Sequence, residues 1–241
     1  FPHYVVFGAN EGQSIDVQKL GWFIHRFKLY GFNSKQFDMP ILTVALTGAA
    51  PEEVKKVCDR IIQDRLRDYK FEKEFGLRIP QVNHIDLMEV CPLKASLKDY
   101  GGRLGAQKLA GLTSDPNRWL TDEEKNQLAW YCINDLDLTE LIRNELREQL
   151  LLRERVSQQY QVDVRSCSDA QMAEKVFGVE IAKVTGKNPV KPIIPEGTVY
   201  HYQCPPWLFF QGEALHELLG EICTAEFRVG ESGACQVPES L

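Results

Sequence analysis

The fold is decided by residues 29–42, which read Leu29-Tyr-Gly-Phe-Asn-Ser-Lys-Gln-Phe-Asp-Met-Pro-Ile-Leu42. Apolar residues at every second position up to Gly31 predict the end of a buried strand. A polar break follows, and Pro40 suits the first turn of an apolar helix. Asp38 therefore lies where free N–H groups favour negative charge and where a carboxylate can hold a hard cation. The alternative interpretation of Asp38 is an ordinary helix-capping aspartate.

Residues 122–152 predict a long helix, because they contain neither Gly nor Pro and their apolar side chains recur at helical spacing. Thr121 and Glu124 predict a capping box at its start. Within this helix, Tyr131 and Asp135 are four residues apart and share one face. A carboxylate on an otherwise apolar face is costly unless it is paired or binds a metal. The alternative is a core tyrosine with its hydroxyl at the rim, and an aspartate at the edge of the buried stripe.

Together the two stretches resemble a known family. Asn33-x-x-x-Phe37-Asp38 followed by Tyr131-x-x-x-Asp135 resembles the second and third motifs of the DEDD 3′→5′ exonucleases, in the branch that carries a tyrosine. The segments between these motifs, residues 84–88 and 96–100, are similar to the proofreading domains of family A DNA polymerases and their phage relatives. The resemblance covers residues 1–150 well and the remainder loosely.

Strands that alternate with helices predict an α/β domain. The resemblance implies the ribonuclease H-like version, a mixed sheet flanked by helices. Residues 1–150 would be the exonuclease domain, and residues 151–241 a helical and extended extension that leads towards a polymerase domain. The family's first motif, Asp-x-Glu on the opening strand, does not occur here, so we expect that strand and two of the four acids to lie upstream of Phe1. Activity of residues 1–241 by themselves is therefore in question.

The resemblance also implies a site and a reaction. The reaction is hydrolysis of the 3′-terminal phosphodiester of DNA with two Mg²⁺ or Mn²⁺ ions roughly 4 Å apart, which oxygen ligands hold. Asp135 would bind the ion on the side of the nucleophile, and Asp38 would serve the other ion. The Tyr131 hydroxyl would orient the attacking water. Asn33 and Phe37 would shape the slot for the last nucleotide. Asp86, between the two motifs, is expected to be structural.

Two further functions remain open at this point. One is a catalytically inactive scaffold of the same fold that binds DNA ends or supports a polymerase domain. The other is a free-standing relative that trims RNA. In the preferred interpretation, the partners are a single-stranded DNA 3′ end and a polymerase domain in the same parent chain, with no membrane involved.

Composition restricts these options. The net charge of −6 argues against a protein that holds nucleic acid through a broad basic surface, but it is compatible with a nuclease module whose metal ions contact a few phosphates. No apolar run approaches the ~20 residues of a membrane helix, and no signal-peptide pattern occurs. The seven cysteines include no Cys-x-x-Cys pair and predict free thiols in a reducing cytoplasm, that of the host cell if the protein is a bacteriophage one.

Other segments give weaker predictions. We expect strands over residues 3–9 and 82–87, and a hairpin over residues 227–237. Helices are expected over residues 15–26, 40–46, 51–69, 96–104, 170–185 and 213–226, the fourth of them closed by Gly101 and Gly102. Residues 186–206, with five prolines, predict an extended arm.

Overall fold

The computed structural model describes residues 4–8, 15–66, 68–111, 115, 118–190, 192–238 and 241. Its helices are α1 Val17–Arg26, α2 Asp38–Ala45, α3 Pro51–Gln63, α4 Asp68–Phe75, α5 Leu87–Val90, α6 Leu97–Arg103, α7 Asp122–Glu145, α8 Arg147–Tyr160, α9 Asp169–Thr185 and α10 Glu213–Thr224. Its strands are β1 Leu29–Gly31, β2 His84–Asp86, β3 Val199–Tyr200 and β4 Phe227–Arg228. The chain divides into two compact units, Phe1–Val184 and Thr185–Leu241.

The first unit is built around a parallel pair of strands. β1 pairs with β2 in the register Leu29↔His84 and Gly31↔Asp86. Parallel strands need cover on their faces, and here β1 packs against α5 and α7, while α6 packs against α7. The main core cluster joins these elements through Ile85, Leu87, Val90, Tyr100, Ile142, Leu146 and Leu150. Both candidate motifs are thus attached to one core.

Two smaller clusters support the helices around α2. Val44 of α2 packs with Val57 and Phe71, which joins α2 to α3 and α4. Ala45 of α2 packs with Leu20 and Ile24 of α1. Because α2 is buried on both sides, its first residue is held at a defined place, and that residue is Asp38.

The second unit contains α10 and an antiparallel pair, in which Val199 of β3 lies opposite Arg228 of β4. A further bridge joins Val229 to Cys235, as a hairpin over this region predicts. The pairing of β3, which comes from the predicted extended arm, was not expected from the sequence.

The structure confirms a fold that mixes helices and strands, with helices over about half of the residues. The described residues form two separate two-stranded sheets, whereas we expected one mixed sheet. A strand is also expected over residues 3–9, but residues 4–8 form no strand, and residues 3 and 9 lie outside the described residues. The ribonuclease H-like arrangement and the domain boundary at residue 150 stay predictions.

Three helix predictions need correction. The helix expected over residues 51–69 ends at Gln63, because Arg65 adopts a left-handed φ of 51° that an α-helix does not accommodate. The helix expected over residues 122–152 is divided at Leu146 into α7 and α8. Gly101 and Gly102 lie inside α6 and do not close it. Across the part of the chain that the structure describes, no helix is both long and apolar enough to cross a membrane.

Candidate functional site

Asp38 is the first residue of α2 and lies at the end of a hydrogen-bonded turn that follows β1. The residue before it, Phe37, occupies the N-cap position and makes no capping bond with its side chain. The Asp38 side chain is exposed to solvent. The protein around it is nevertheless dense enough that desolvation raises its pKa to about 6, and the negative charge of Asp86 adds to the rise. A carboxylate in this setting gains from a cation that would neutralise it.

The same turn brings together the two residues predicted to contact the nucleotide. The N–H of Phe37 donates to the carbonyl of Asn33 at 3.2 Å, and the N–H of Met39 donates to the carbonyl of Ser34 at 2.8 Å. Asn33 has a φ of 57°, a left-handed conformation that asparagine tolerates better than most residues. Asn33 is exposed and Phe37 is half-buried, so each is open to a ligand.

Tyr131 lies on α7 and is half-buried. The ammonium group of Lys98 on α6 lies 4.7 Å from the centre of the Tyr131 ring. It also lies within 3.4 Å of the Tyr131 hydroxyl oxygen, a contact longer than a typical N–H···O hydrogen bond. The cation therefore fixes the phenol at the edge of the core and leaves a positive charge beside its oxygen.

Asp135 lies one turn further along α7 and is also half-buried. Its Oδ1 atom is inaccessible to solvent and has no hydrogen-bond partner among the described residues. Leaving a buried acceptor unpaired costs about 1–3 kcal/mol, and more for a charged group. Gln36 Oε1, in the turn before Asp38, is a second buried acceptor for which the described part of the chain offers no hydrogen-bond partner. Buried charges in proteins are either paired or bound to metals, so a cation is one partner that this carboxylate oxygen could take.

The two halves of the candidate site are joined through the core. The ring of Phe32, directly after β1, lies 6.0 Å from the ring of Tyr100 on α6. A Cβ atom on Gly101 would lie only 2.7 Å from Leu138 Cδ2, so α6 approaches α7 closely at this point. The turn that leads to Asp38 and the helix that carries Asp135 thus share α6 as a neighbour.

The donor set suits Mg²⁺ or Mn²⁺ in type, because Asp38 and Asp135 offer hard oxygen atoms and one of these atoms is unpaired. Within the described ranges, however, no group of three or more His, Cys, Asp or Glu side chains is arranged to hold a metal ion. These two acids would therefore provide only part of a coordination shell.

Sequence reasoning missed two residues of this region. Lys98 is 33 residues from Tyr131, and no periodicity links the two positions. Gln36 lies inside the quoted stretch but has the appearance of an ordinary polar turn residue. Only the three-dimensional arrangement identifies either one.

Comparison with models of protein families, with curated proteins and with solved structures finds no match for this chain.

Proposed function

We propose that this chain is the 3′→5′ exonuclease module of a bacteriophage DNA polymerase, with a ribonuclease H-like fold, and that it removes the 3′-terminal nucleotide of DNA in the cytoplasm of the host cell. The observation that carries the proposal is the buried, unpaired Oδ1 of Asp135, one helical turn from the half-buried phenol of Tyr131. The motif spacing supports the same reaction, since both acids follow the family's pattern.

Asp135 and Asp38 would hold the divalent cations. When bound, such ions lower the pKa of an attacking water and absorb the charge of the leaving 3′ oxygen. Asp135 offers Oδ1 without giving up another bond, and Asp38 releases its proton near neutral pH because its pKa is about 6. The Asp38 carboxylate is therefore mostly ionised at pH 7 and free to bind a cation.

Tyr131 and Lys98 would place the reacting groups. The phenol needs only to accept or donate a hydrogen bond to a water, which it does without ionising. Lys98 keeps the ring in place from 4.7 Å and brings a positive charge near the hydroxyl. That charge would also attract the terminal phosphate, as lysine does in many phosphate sites.

Asn33 and Phe37 would hold the last nucleotide. The exposed amide of Asn33 can form hydrogen bonds with a sugar or base, and the Phe37 ring presents an apolar face for stacking. Their shared turn fixes the spacing between these two contacts.

A second candidate is a scaffold of the same fold without catalytic activity, which is compatible with the following observation. The described residues contain no cluster of three potential metal ligands. Such a scaffold would still bind a DNA end through Asn33 and Phe37, but it would not need a cation.

The experiment that separates the two candidates uses the full-length gene product that contains this chain, with 5′-labelled single-stranded DNA and Mg²⁺. The exonuclease produces a ladder that shortens from the 3′ end, and Asp135→Ala abolishes nearly all of it. Glu140→Ala, an exposed acid on the same helix, is the matched control and should retain activity. DNA binding without shortening, or full activity in Asp135→Ala, would reject the nuclease. An RNA competitor in the same assay tests the RNA-trimming alternative.

A further inference from the structure

One side chain from the neighbouring strand binds the backbone of the turn between β1 and α2 at two points. The carboxylate of Asp86, at the end of β2, accepts the N–H of Asn33 at 2.9 Å through Oδ1 and the N–H of Lys35 at 2.8 Å through Oδ2. Oδ1 also accepts the N–H of Met88 at 3.1 Å. Only 1% of Asp86 is exposed, so these bonds are shielded from competition by water.

Asp86 reaches this turn because of the strand register. Gly31, the last residue of β1, lies directly beside Asp86 in the parallel pair. A Cβ atom on Gly31 would collide with Ser34 Oγ, so the turn folds back tightly over the end of β1. Ser34 Oγ in turn lies 2.8 Å from His84 Nε2 on β2. The turn is therefore bound to β2 in two ways. Asp86 accepts hydrogen bonds from the backbone of the turn, and His84 contacts the Ser34 side chain.

The hydrogen bonds continue from the turn to the candidate site. The carbonyl of Asn33, whose N–H is bound by Asp86, accepts the N–H of Phe37. The carbonyl of Ser34 accepts the N–H of Met39, on the other side of Asp38. Asn33 itself has the uncommon φ of 57°, a conformation that needs support from its surroundings. A shift of the turn would therefore move Phe37 and Asp38 together.

We propose that Asp86 is a positioning residue for the nuclease site: its carboxylate holds the backbone of residues 33–35 and thereby sets where Phe37 and Asp38 lie. This inference rests on the proposed function, because it assigns Asp86 a purpose in that reaction. Asp86 does not contact the substrate in this account. It acts through the turn alone, which goes beyond the purely structural role expected from the sequence.

The test compares Asp86→Asn with Glu72→Gln. Asparagine keeps the size of Asp86 but has one acceptor oxygen where the carboxylate has two, so one of the turn amides loses its bond. Glu72 is a matched control, because its carboxylate also accepts a backbone N–H, that of Ile79 at 3.1 Å, in a different loop of the same unit.

Two measurements are made on each variant. The first is amide hydrogen exchange of the metal-free chain, in which exchange at Asn33 or Lys35 should accelerate in Asp86→Asn and not in Glu72→Gln. The second is the Mn²⁺ concentration that gives half-maximal DNA hydrolysis by the full-length gene product. Mutation of residues that orient metal ligands typically lowers metal affinity or activity by about 10–100-fold. We therefore expect Asp86→Asn to raise the half-maximal Mn²⁺ concentration by about 10-fold or more. Glu72→Gln should leave this concentration unchanged.

The outcomes separate the two claims. Faster exchange in the turn together with an unchanged Mn²⁺ requirement would overturn the positioning role and leave Asp86 structural. Unchanged exchange would overturn it as well. If the unaltered protein hydrolyses no DNA, the proposed function fails, while the exchange data still report whether Asp86 holds the turn. If Asp86→Asn does not fold, exchange in the unaltered chain decides: Asn33 and Lys35 must be as protected as Met88, and free exchange at either one contradicts the proposal.

Discussion

Replacing Asp135 by alanine should stabilise the metal-free protein, although Asp135 lies on a half-buried helix face. Removal of a buried, unpaired carboxylate oxygen relieves a cost of about 1–3 kcal/mol. Alanine is also the better helix former, by roughly half a kcal/mol. Part of this gain is lost with the packing of the removed atoms. We therefore expect the free energy of unfolding to rise by about 1–2 kcal/mol.

A divalent cation should reduce or reverse this difference in stability. Mg²⁺ at ten times its dissociation constant stabilises a protein that binds it only in the folded state by about 1.4 kcal/mol. The unaltered chain gains this amount, and Asp135→Ala gains little, because one of its two acidic ligands is missing. The difference between the two proteins thus shrinks or changes sign between EDTA and Mg²⁺.

Urea unfolding followed by far-UV circular dichroism measures both effects. With a slope of about 2 kcal/mol per molar urea, the midpoint of Asp135→Ala in EDTA should lie roughly 0.5–1 M above that of the unaltered chain. Glu140→Ala serves as the control, since exposed substitutions usually change stability by less than about 0.5 kcal/mol. A lower midpoint for Asp135→Ala in EDTA would refute the reasoning, because it would mean that Asp135 makes a stabilising contact in the absence of metal.

Three other predictions concern single residues. Because the pKa of Asp38 is about 6, its ionised fraction falls roughly tenfold from pH 7 to pH 5. Mn²⁺ binding, followed by electron paramagnetic resonance, should therefore weaken over this range, and equal affinity at both pH values would contradict this prediction. Lys98→Met keeps a side chain of similar length but removes the charge beside Tyr131. Single-turnover DNA hydrolysis should therefore slow by about tenfold, while the circular dichroism spectrum stays unchanged. A rate equal to that of the unaltered protein would exclude a role for Lys98. Buried Arg153 donates from Nε to the Cys167 carbonyl at 2.8 Å and from Nη2 to Asp169 at 2.6 Å. Arg153→Met should therefore lower the free energy of unfolding, measured in urea, by about 3 kcal/mol. A loss below about 1 kcal/mol would show that these bonds are weak.

Local signals in the sequence predicted local structure well. The capping box of α7 is present, with the Thr121 N–H donating to Glu124 at 2.9 Å and the Glu124 N–H donating to Thr121 Oγ1 at 3.3 Å. The strand that ends at Gly31 and the helix after it are also present, although α2 begins two residues before Pro40. These features depend on interactions between residues close in sequence, which can be predicted without knowledge of the tertiary structure.

Features that depend on distant residues could not be predicted. The sequence predicts that Gly101 ends a helix, but Gly101 lies within α6, where a side chain would collide with Leu138 of α7. Lys98 and Tyr131, which are in contact, are 33 positions apart in the sequence. Asp86 and the turn residues that it binds are more than 50 positions apart. Such pairs follow from how the elements pack, and the spacing within a single element carries no signal of them.

The proposed exonuclease needs a cation site shared by the first residue of α2 and the middle of α7. Anomalous diffraction from crystals soaked in Mn²⁺ tests this arrangement most directly. We expect a Mn²⁺ peak about 2.1 Å from Asp135 Oδ1, with Asp38 bound to the same pair of ions directly or through water. Absence of a peak at Asp135 under saturating Mn²⁺, or Asp38 and Asp135 on separate surfaces, would contradict it.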